Sequence, residues 1–492
     1  MTDDQFHDER SILLFTDQER IILGIIVVVY FILLFGFSLY INYRKINSYD
    51  DFNVAGRSVS RFPLILTFVG TAVGGSILLG FMENAYRFGM GQHWLNISIL
   101  VTGVITAFFL IKRIRLIGEK YKMVTIGDFT ALRYGEGARI PTVISVLLAY
   151  CAVTGMQFVA IATILNLTIG LSMTVGIIIS WLLLTAKTYF GGLKSVVWQD
   201  AIHGTVQTAG TFLLFIVILW IGGDWGEMKS FAGSLGELEL LSITHISTSE
   251  VLVYFFTIGG YQFVRQDLWQ RFWAARDYKT AVSGYWIAIM LAFLIGVAII
   301  GSGVFLRYGM QMTGIDPTLV YYEAIGAVFH FPLVVIMVIA LMATVISCAD
   351  SFFMAASTSI INDIVKPRIK HASETRILQY SRYSVITVSV ISVLLALYMP
   401  QLVVLWVIGT AMLVSGLLAP CIFGLFWKSA TKAGGITAMW LGLGVAVIWQ
   451  LAGHPFDVHP VFVGLPLSTL AIIVVSLATK KKQTTDIWSE VI

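Results

Sequence analysis

Apolar runs long enough to cross a lipid bilayer recur along this chain, and no other feature narrows its fold as much. A run of about 20 apolar residues spans the hydrocarbon as a helix. Inside hydrocarbon every backbone amide needs an internal partner, so such runs become helices rather than open strands. Thirteen candidate spans lie near residues 21–43, 61–86, 93–114, 140–169, 173–189, 196–222, 251–273, 283–306, 328–361, 382–398, 402–426, 435–451 and 461–477. Composition agrees, with 57% of 492 residues hydrophobic and 12% charged, where soluble domains carry about 25% charged. The fold class expected is an all-α polytopic membrane protein. The first run follows a polar, acidic stretch and precedes no small-residue cleavage site, so a removable signal peptide is not expected.

Lysine and arginine set the expected orientation. With thirteen spans and the N-terminus outside, 27 of the 32 basic residues fall on the inner side. Only Arg10, Arg20, Arg87, Lys229 and Arg307 fall outside. This positive-inside bias predicts an external tail 1–20, an external loop 223–250 and a cytoplasmic tail 478–492 in a cell membrane. Lys187 and Lys194 count as inner loop charges in this reading. The net charge of +4 is thus an orientation signal. No basic surface interleaved with aromatics points to nucleic acid. Cys151, Cys348 and Cys421 all lie within spans, which implies neither a disulfide framework nor a zinc site. No Walker motif occurs, and no nucleophile–base or metal-ligand set stands at helical spacing in the spans. An enzyme is not expected.

The polar residues inside the spans point to function. In ATVISCADSFFMAASTSIIN, residues 343–362, Thr344, Ser347, Cys348 and Ser351 recur at three- and four-residue steps. That spacing lines them along one helical stripe, with Asp350 at its edge. A carboxylate at bilayer depth costs at least about 3 kcal/mol and needs a partner. Hydroxyls and a carboxylate are hard ligands that suit a small hard cation. The second span carries Gly70, Gly74 and Gly75 at mid-depth, where an unwound helix or a close-packing face is expected. The seventh span carries Gly259–Gly260, a second interruption. Glycine-broken spans in corresponding positions of two oppositely oriented halves mark a transporter site. Glu83 has two readings: a salt bridge to Arg87 four residues on, or a group facing substrate. Asp200 lies about one turn into the sixth span, as a helix-start carboxylate or an ion ligand. His203 reads as a packed polar residue.

Several stretches resemble one family. They are AGRSVSRFP and the broken span after it, GGLKSVVWQDAIHGTVQ, RQDLWQRFWAARD and SCADSFFMAASTSIINDIV. Together, over roughly residues 51–366, they are similar to the sodium–solute symporter family, which includes sodium-coupled sugar, proline, sialic acid and choline transporters. The resemblance implies the leucine-transporter fold, a 5+5 inverted repeat over 61–222 and 251–426. One extra span at 21–43 would precede it, and two at 435–477 would follow. It also implies a main sodium site of Gly70, Val73, Thr344, Ser347 and Cys348. A second sodium site, found in some members, would use Asp200, Ser347, Asp350 and Ser351. The family's inner-gate tyrosine falls on Tyr261, and Glu83 resembles a glutamate of choline-type members.

Two positions depart from the family. Cys348 stands where sodium-coupled members carry serine or threonine, and a thiol ligates sodium poorly. The main site would then be weakened, shifted toward Asp350, or used by a proton. Ala72 replaces the tryptophan of choline-type members and removes a cation–π wall. The expected function is sodium-coupled uptake of a small solute, a zwitterion or carboxylate before a sugar, by a monomer embedded in the lipid bilayer. Its pocket would include Thr71, Ala72, Ile77, Glu83, Phe255, Tyr261 and Phe263. A proton-coupled transporter with Asp350 or Asp200 as carrier, and a solute sensor without transport, are the alternatives.

Overall fold

The computed structural model describes residues 15–369, 372–398 and 402–479. Among these residues the architecture is all helical, apart from one isolated bridge between Val59 and Ala275. Ten helical stretches are long and apolar enough to cross a membrane.

The chain starts with α1 (Asp17–Lys45), whose Thr16 and Glu19 cap each other's amides in a capping box. Leu23, Val27 and Phe31 of α1 are buried while Ile25, Val28, Ile32 and Leu33 are exposed. A helix apolar all round suits a place between protein and lipid. A short α2 (Tyr49–Val54) leads to α3 (Arg61–Ala72) and α4 (Gly75–Phe88), two pieces of one broken helix. Next come α5 (His93–Ile105) and α6 (Ile111–Tyr121), joined by a π turn, and α7 (Ile126–Tyr134), the short helix expected from TIGDFTALRYG. Then α8 (Arg139–Ile169) precedes α9 (Met173–Ile221), which runs through 49 residues. It turns a corner at Gly192, with φ 54° and ψ −172°. A Cβ there would strike the Phe52 ring, so glycine serves both the backbone angle and the packing.

The second half opens with α10 (Trp225–Ser234) and α11 (Thr248–Tyr254), followed by α12 (Gly260–Val264) and α13 (Gln266–Ala274). Next are α14 (Tyr278–Val304), α15 (Val320–Val328), α16 (Phe331–Ser359), α17 (Glu374–Tyr398), α18 (Leu402–Phe426), α19 (Lys432–Leu451) and α20 (Val461–Thr479). The centre of the molecule is α16, buried without interruption from Ala340 to Ser359 and packed on α3, α8, α9 and α17.

The first expected interruption occurs where the glycines predict it. Val73 (φ −99°, ψ 81°) and Gly74 (φ −92°, ψ −171°) separate α3 from α4. The second is displaced. Gly259 and Gly260 keep helical backbone, and the break comes at Arg265, φ −68° and ψ 112°. The glycine pair serves packing instead. Side chains there would press on Thr102 at one position and on Val414 and Leu418 at the other.

Candidate functional site

The break between α3 and α4 opens backbone that a continuous helix would satisfy internally. Gly74, at the start of α4, brings no side-chain cap. Neighbouring helices supply partners instead. Gln207 on α9 donates to the Val73 carbonyl at 3.0 Å, and the Cys348 thiol on α16 donates to the Thr71 carbonyl at 3.6 Å. Glycine lets α16 come this close. A Cβ on Gly70 would fall on the Ser347 hydroxyl, and one on Gly74 would overlap the Cys348 sulfur.

The five residues expected to hold the main ion therefore stand on two facing elements, with Thr344 one turn before Ser347 and Cys348. A hydroxyl that ligates a cation must send its proton elsewhere. Thr344 donates to the Ala340 carbonyl at 2.8 Å and Ser347 to Asp200 at 2.5 Å. Their lone pairs are left for a hard cation. Cys348 differs: its thiol is spent on Thr71, which makes it a clip across the break.

The expected second-site residues divide into two groups. Asp200, fully buried on α9, accepts hydrogen bonds from Ser347 and Thr67. Arg271 on α13 lies 3.5 Å from its carboxylate and also donates to Thr67 (3.0 Å) and Ser351 (2.5 Å). Ser351 shares a 2.7 Å hydrogen bond with Thr71. Asp350 turns another way. It is ion-paired with Lys187 and accepts from Thr188 at 3.1 Å. Ser347 and Ser351, four residues apart, share a helical face, whereas Asp350 is offset from that stripe and looks onto the first arm of α9. Lys187 is thus not the loop charge the sequence suggested. It is buried, and its ammonium also reaches Gln199 at 2.5 Å.

The second break is held by charge. Arg265, the non-helical residue, grips Asp267 through two hydrogen bonds of 2.6 and 3.2 Å. Tyr150 on α8 donates to Asp267 at 2.6 Å, and the Arg265 guanidinium lies 5.4 Å from the centre of the Tyr261 ring. A narrow cleft runs between the two breaks, lined by Thr71, Ala72, Gln262, Arg265, Asp267 and Tyr285 among others. Of the expected pocket residues, Thr71 and Ala72 line it, and Tyr261 lies beneath Arg265.

The others lie outside that lining. Phe263 faces a separate apolar crevice with Leu418 and Phe423. The cause is the displaced break: α12 continues through the glycines, so Phe263 is turned about 100° from Gln262. Ile77 is buried on α4, Phe255 sits in a π turn, and Glu83 forms a 3.1 Å salt bridge with Arg87.

Three features escaped the sequence reading. Gln157 on α8 is fully buried, faces Gly74 and Gly75, and has no hydrogen bond on either amide atom. Lys187 finds Asp350 from a distant part of the chain. Arg265 and Asp267 form their own clamp. The charges of RQDLWQR inside an apolar region were the available signal for the clamp, and the isolated glutamine in α8 was the signal for Gln157.

The model of the family described as "Sodium:solute symporter family" matches residues 52–442. The high-affinity proline transporter PutP of Bacillus subtilis is 24% identical over 451 residues, covering 90% of this chain and 95% of that protein. The sodium/proline symporter of Staphylococcus aureus is 23% identical over 480 residues, covering 93% of each. Among solved structures, a Na+-coupled sialic acid symporter in a substrate-bound outward-open state has a TM-score of 0.80 at 16% identity, over 94% of this chain and 97% of that one. A nucleobase-cation-symport-1 family transporter in a closed conformation has a TM-score of 0.57 at 14% identity, over 87% and 95%.

Proposed function

This chain belongs to the sodium:solute symporter family, and from that membership we propose that it couples inward sodium movement to uptake of a small zwitterion or carboxylate. The observation that carries the reading is the break at Val73–Gly74 facing the hydroxyl stripe of α16. Sodium is cargo here. Its berth would be the Gly70 and Val73 carbonyls with the Thr344 and Ser347 hydroxyls, beside Cys348. These are neutral oxygens, which fit a monovalent hard cation. A cation there ties α16 to the broken helix and favours one state of the transporter. A solute preferring the same state is then coupled to it reciprocally. One charge crossing 100 mV adds about 2.3 kcal/mol of drive.

The solute would bind in the cleft between the breaks. The start of α4 attracts a carboxylate, Gln157 offers an amide free at both ends, and the Arg265–Asp267 pair presents both signs of charge. Relatives named for proline support a zwitterion. Tyr261, pinned under Arg265, is the inner gate in this reading.

The Gly192 corner splits α9 into two crossing pieces, and α3/α4 and α11–α13 are each one interrupted span, which supports thirteen crossings. The two sets of five are 61–222 and 251–426. An extra span precedes them and two follow, with the N-terminus outside and one chain as the working unit. Uptake of radiolabelled proline and related metabolites into proteoliposomes tests the function. Uptake that is equal with and without an inward sodium gradient removes sodium as the driver. A thermal-shift screen in sodium against potassium identifies the solute, because a ligand that binds only the sodium-loaded state raises the melting temperature only in sodium.

A further inference from the structure

We propose that Lys187 is a tethered cation standing in for a second sodium, so that the transporter carries one sodium per solute. The inference rests on the sodium-symport reading above. Two fully buried carboxylates, Asp200 and Asp350, flank the hydroxyl stripe of α16. Charges this deep must be compensated. Each has a cation from the protein itself. Arg271 lies 3.5 Å from Asp200, and Lys187 is ion-paired with Asp350. The charge around the stripe is therefore balanced before any ion arrives. The position formed by Gly70, Val73, Thr344 and Ser347 adds no charge of its own and takes one sodium. The first sodium is then already an uncompensated charge in a medium of low dielectric, and a second would add its repulsion to the first.

Lys187 fills the Asp350 half of the expected second site, and Arg271 the Asp200 half. The Lys187 ammonium is held by oxygens, those of Asp350 and of Gln199, the donor type that sodium also selects. Thr188 adds a hydroxyl to the same carboxylate. The Gln199 amide is anchored in turn to the Leu34 carbonyl (3.2 Å) and the Ser38 hydroxyl (3.1 Å) of α1. Lys187 and Gln199 stand on opposite arms of α9, so the ammonium bridges the Gly192 corner and joins both arms to α16. A tethered ammonium acts at a high effective concentration and outcompetes free sodium for this berth.

The test uses the full chain and sodium alone. ²²Na+ binding by the purified protein is counted per chain, and thermal melting is compared in sodium and in potassium. Wild type is expected to bind one sodium. Lys187→Met is expected to bind two, and its melting point to rise from potassium to sodium by more than that of wild type, because sodium also takes the vacated berth. Lys187→Met/Asp350→Asn, with neither charge, is expected to return to one. A wild-type count of two overturns the inference and leaves the symporter reading standing. A wild-type count of zero removes the symporter reading itself and this inference with it. Lys187→Met that still binds one sodium and shows no larger sodium shift than wild type, or that fails to fold in sodium, also overturns it and makes the pair a structural clip.

Discussion

The two breaks solve one problem in opposite ways. At Val73–Gly74 the chain opens among small residues, and its freed backbone is met by a glutamine and a thiol, both neutral. At Arg265 it opens on a guanidinium held by a carboxylate two residues away and by Tyr150 through that carboxylate. A neutral hydrogen bond is worth about 1 kcal/mol net, and exchanging it for a ligand contact is cheap. Breaking a buried ion pair by removing one member costs about 3–5 kcal/mol. The first break is therefore suited to trading partners during a cycle. The second is suited to holding a fixed angle while the helices around it move.

The largest expected effect tests that contrast at the clamp. Asp267→Ala leaves Arg265 buried and unmatched, and is expected to lower stability by about 3–5 kcal/mol in thermal or denaturant unfolding. Arg265→Met/Asp267→Leu is expected to recover most of that loss, since replacing both members of a buried pair by apolar groups is often neutral. If the single variant melts like wild type, the clamp does not carry the second break.

At the first break the expected loss is smaller and steric. Gly74→Ala drives a methyl into the Cys348 sulfur, and overpacking of this kind costs about 1–3 kcal/mol. Gly74→Ala/Cys348→Ala makes room for the methyl and is expected to regain much of the stability. Loss of the sodium-dependent melting shift should accompany the single variant. A Gly74→Ala protein with unchanged sodium response would show that the close approach of α16 is not what builds the ion berth.

The difference between the breaks also separates what the chain's residues reveal from what they hide. The first was legible because glycine at mid-span has few uses, and Gly70 and Gly74 lie against hydroxyl and thiol residues whose spacing already marked one helical face. The second was misplaced. A Gly–Gly pair weakens a helix in the same way whether it breaks or merely packs, and only tertiary packing against Thr102, Val414 and Leu418 decides between the two. Asp350 was rightly read as a buried acid in need of a partner, but Lys187 lies more than 160 residues away in sequence. A lysine near the end of an apolar run looks like a loop charge until the Gly192 corner carries it inward. Pairings of that separation are set by packing, and local periodicity holds no trace of them.

Gln157 gives a more modest effect, with opposite signs for stability and function. A buried amide with no partner costs about 1–3 kcal/mol. Gln157→Leu is therefore expected to raise the melting point of the solute-free protein, by an amount near the low end of that range. The same change is expected to weaken solute binding, about tenfold for each 1.4 kcal/mol of binding free energy that the amide supplies. Melting without and with the solute found by the sodium screen measures both. Should stability fall instead, Gln157 is a packing residue rather than a waiting ligand.

The smallest expected change bears on why the first break carries a thiol. A serine at position 348 replaces a soft sulfur by a hard oxygen next to the proposed sodium berth. Its shorter C–O bond draws the donor back from the Thr71 carbonyl, which the thiol now reaches at 3.6 Å. Cys348→Ser therefore exchanges a clip on the backbone for an extra ion ligand. The half-saturating sodium concentration is expected to fall by about fivefold, the equivalent of roughly 1 kcal/mol. Thr344→Val, which deletes a hydroxyl from the same stripe, is expected to raise it. ²²Na+ titrations of the two variants against wild type check both directions. If Cys348→Ser leaves the titration unmoved while Thr344→Val shifts it, the ion sits toward the Thr344 side and the thiol serves only to hold the break. Equal insensitivity of both variants would place the ion away from the stripe and end the case for the neutral break as the exchangeable one.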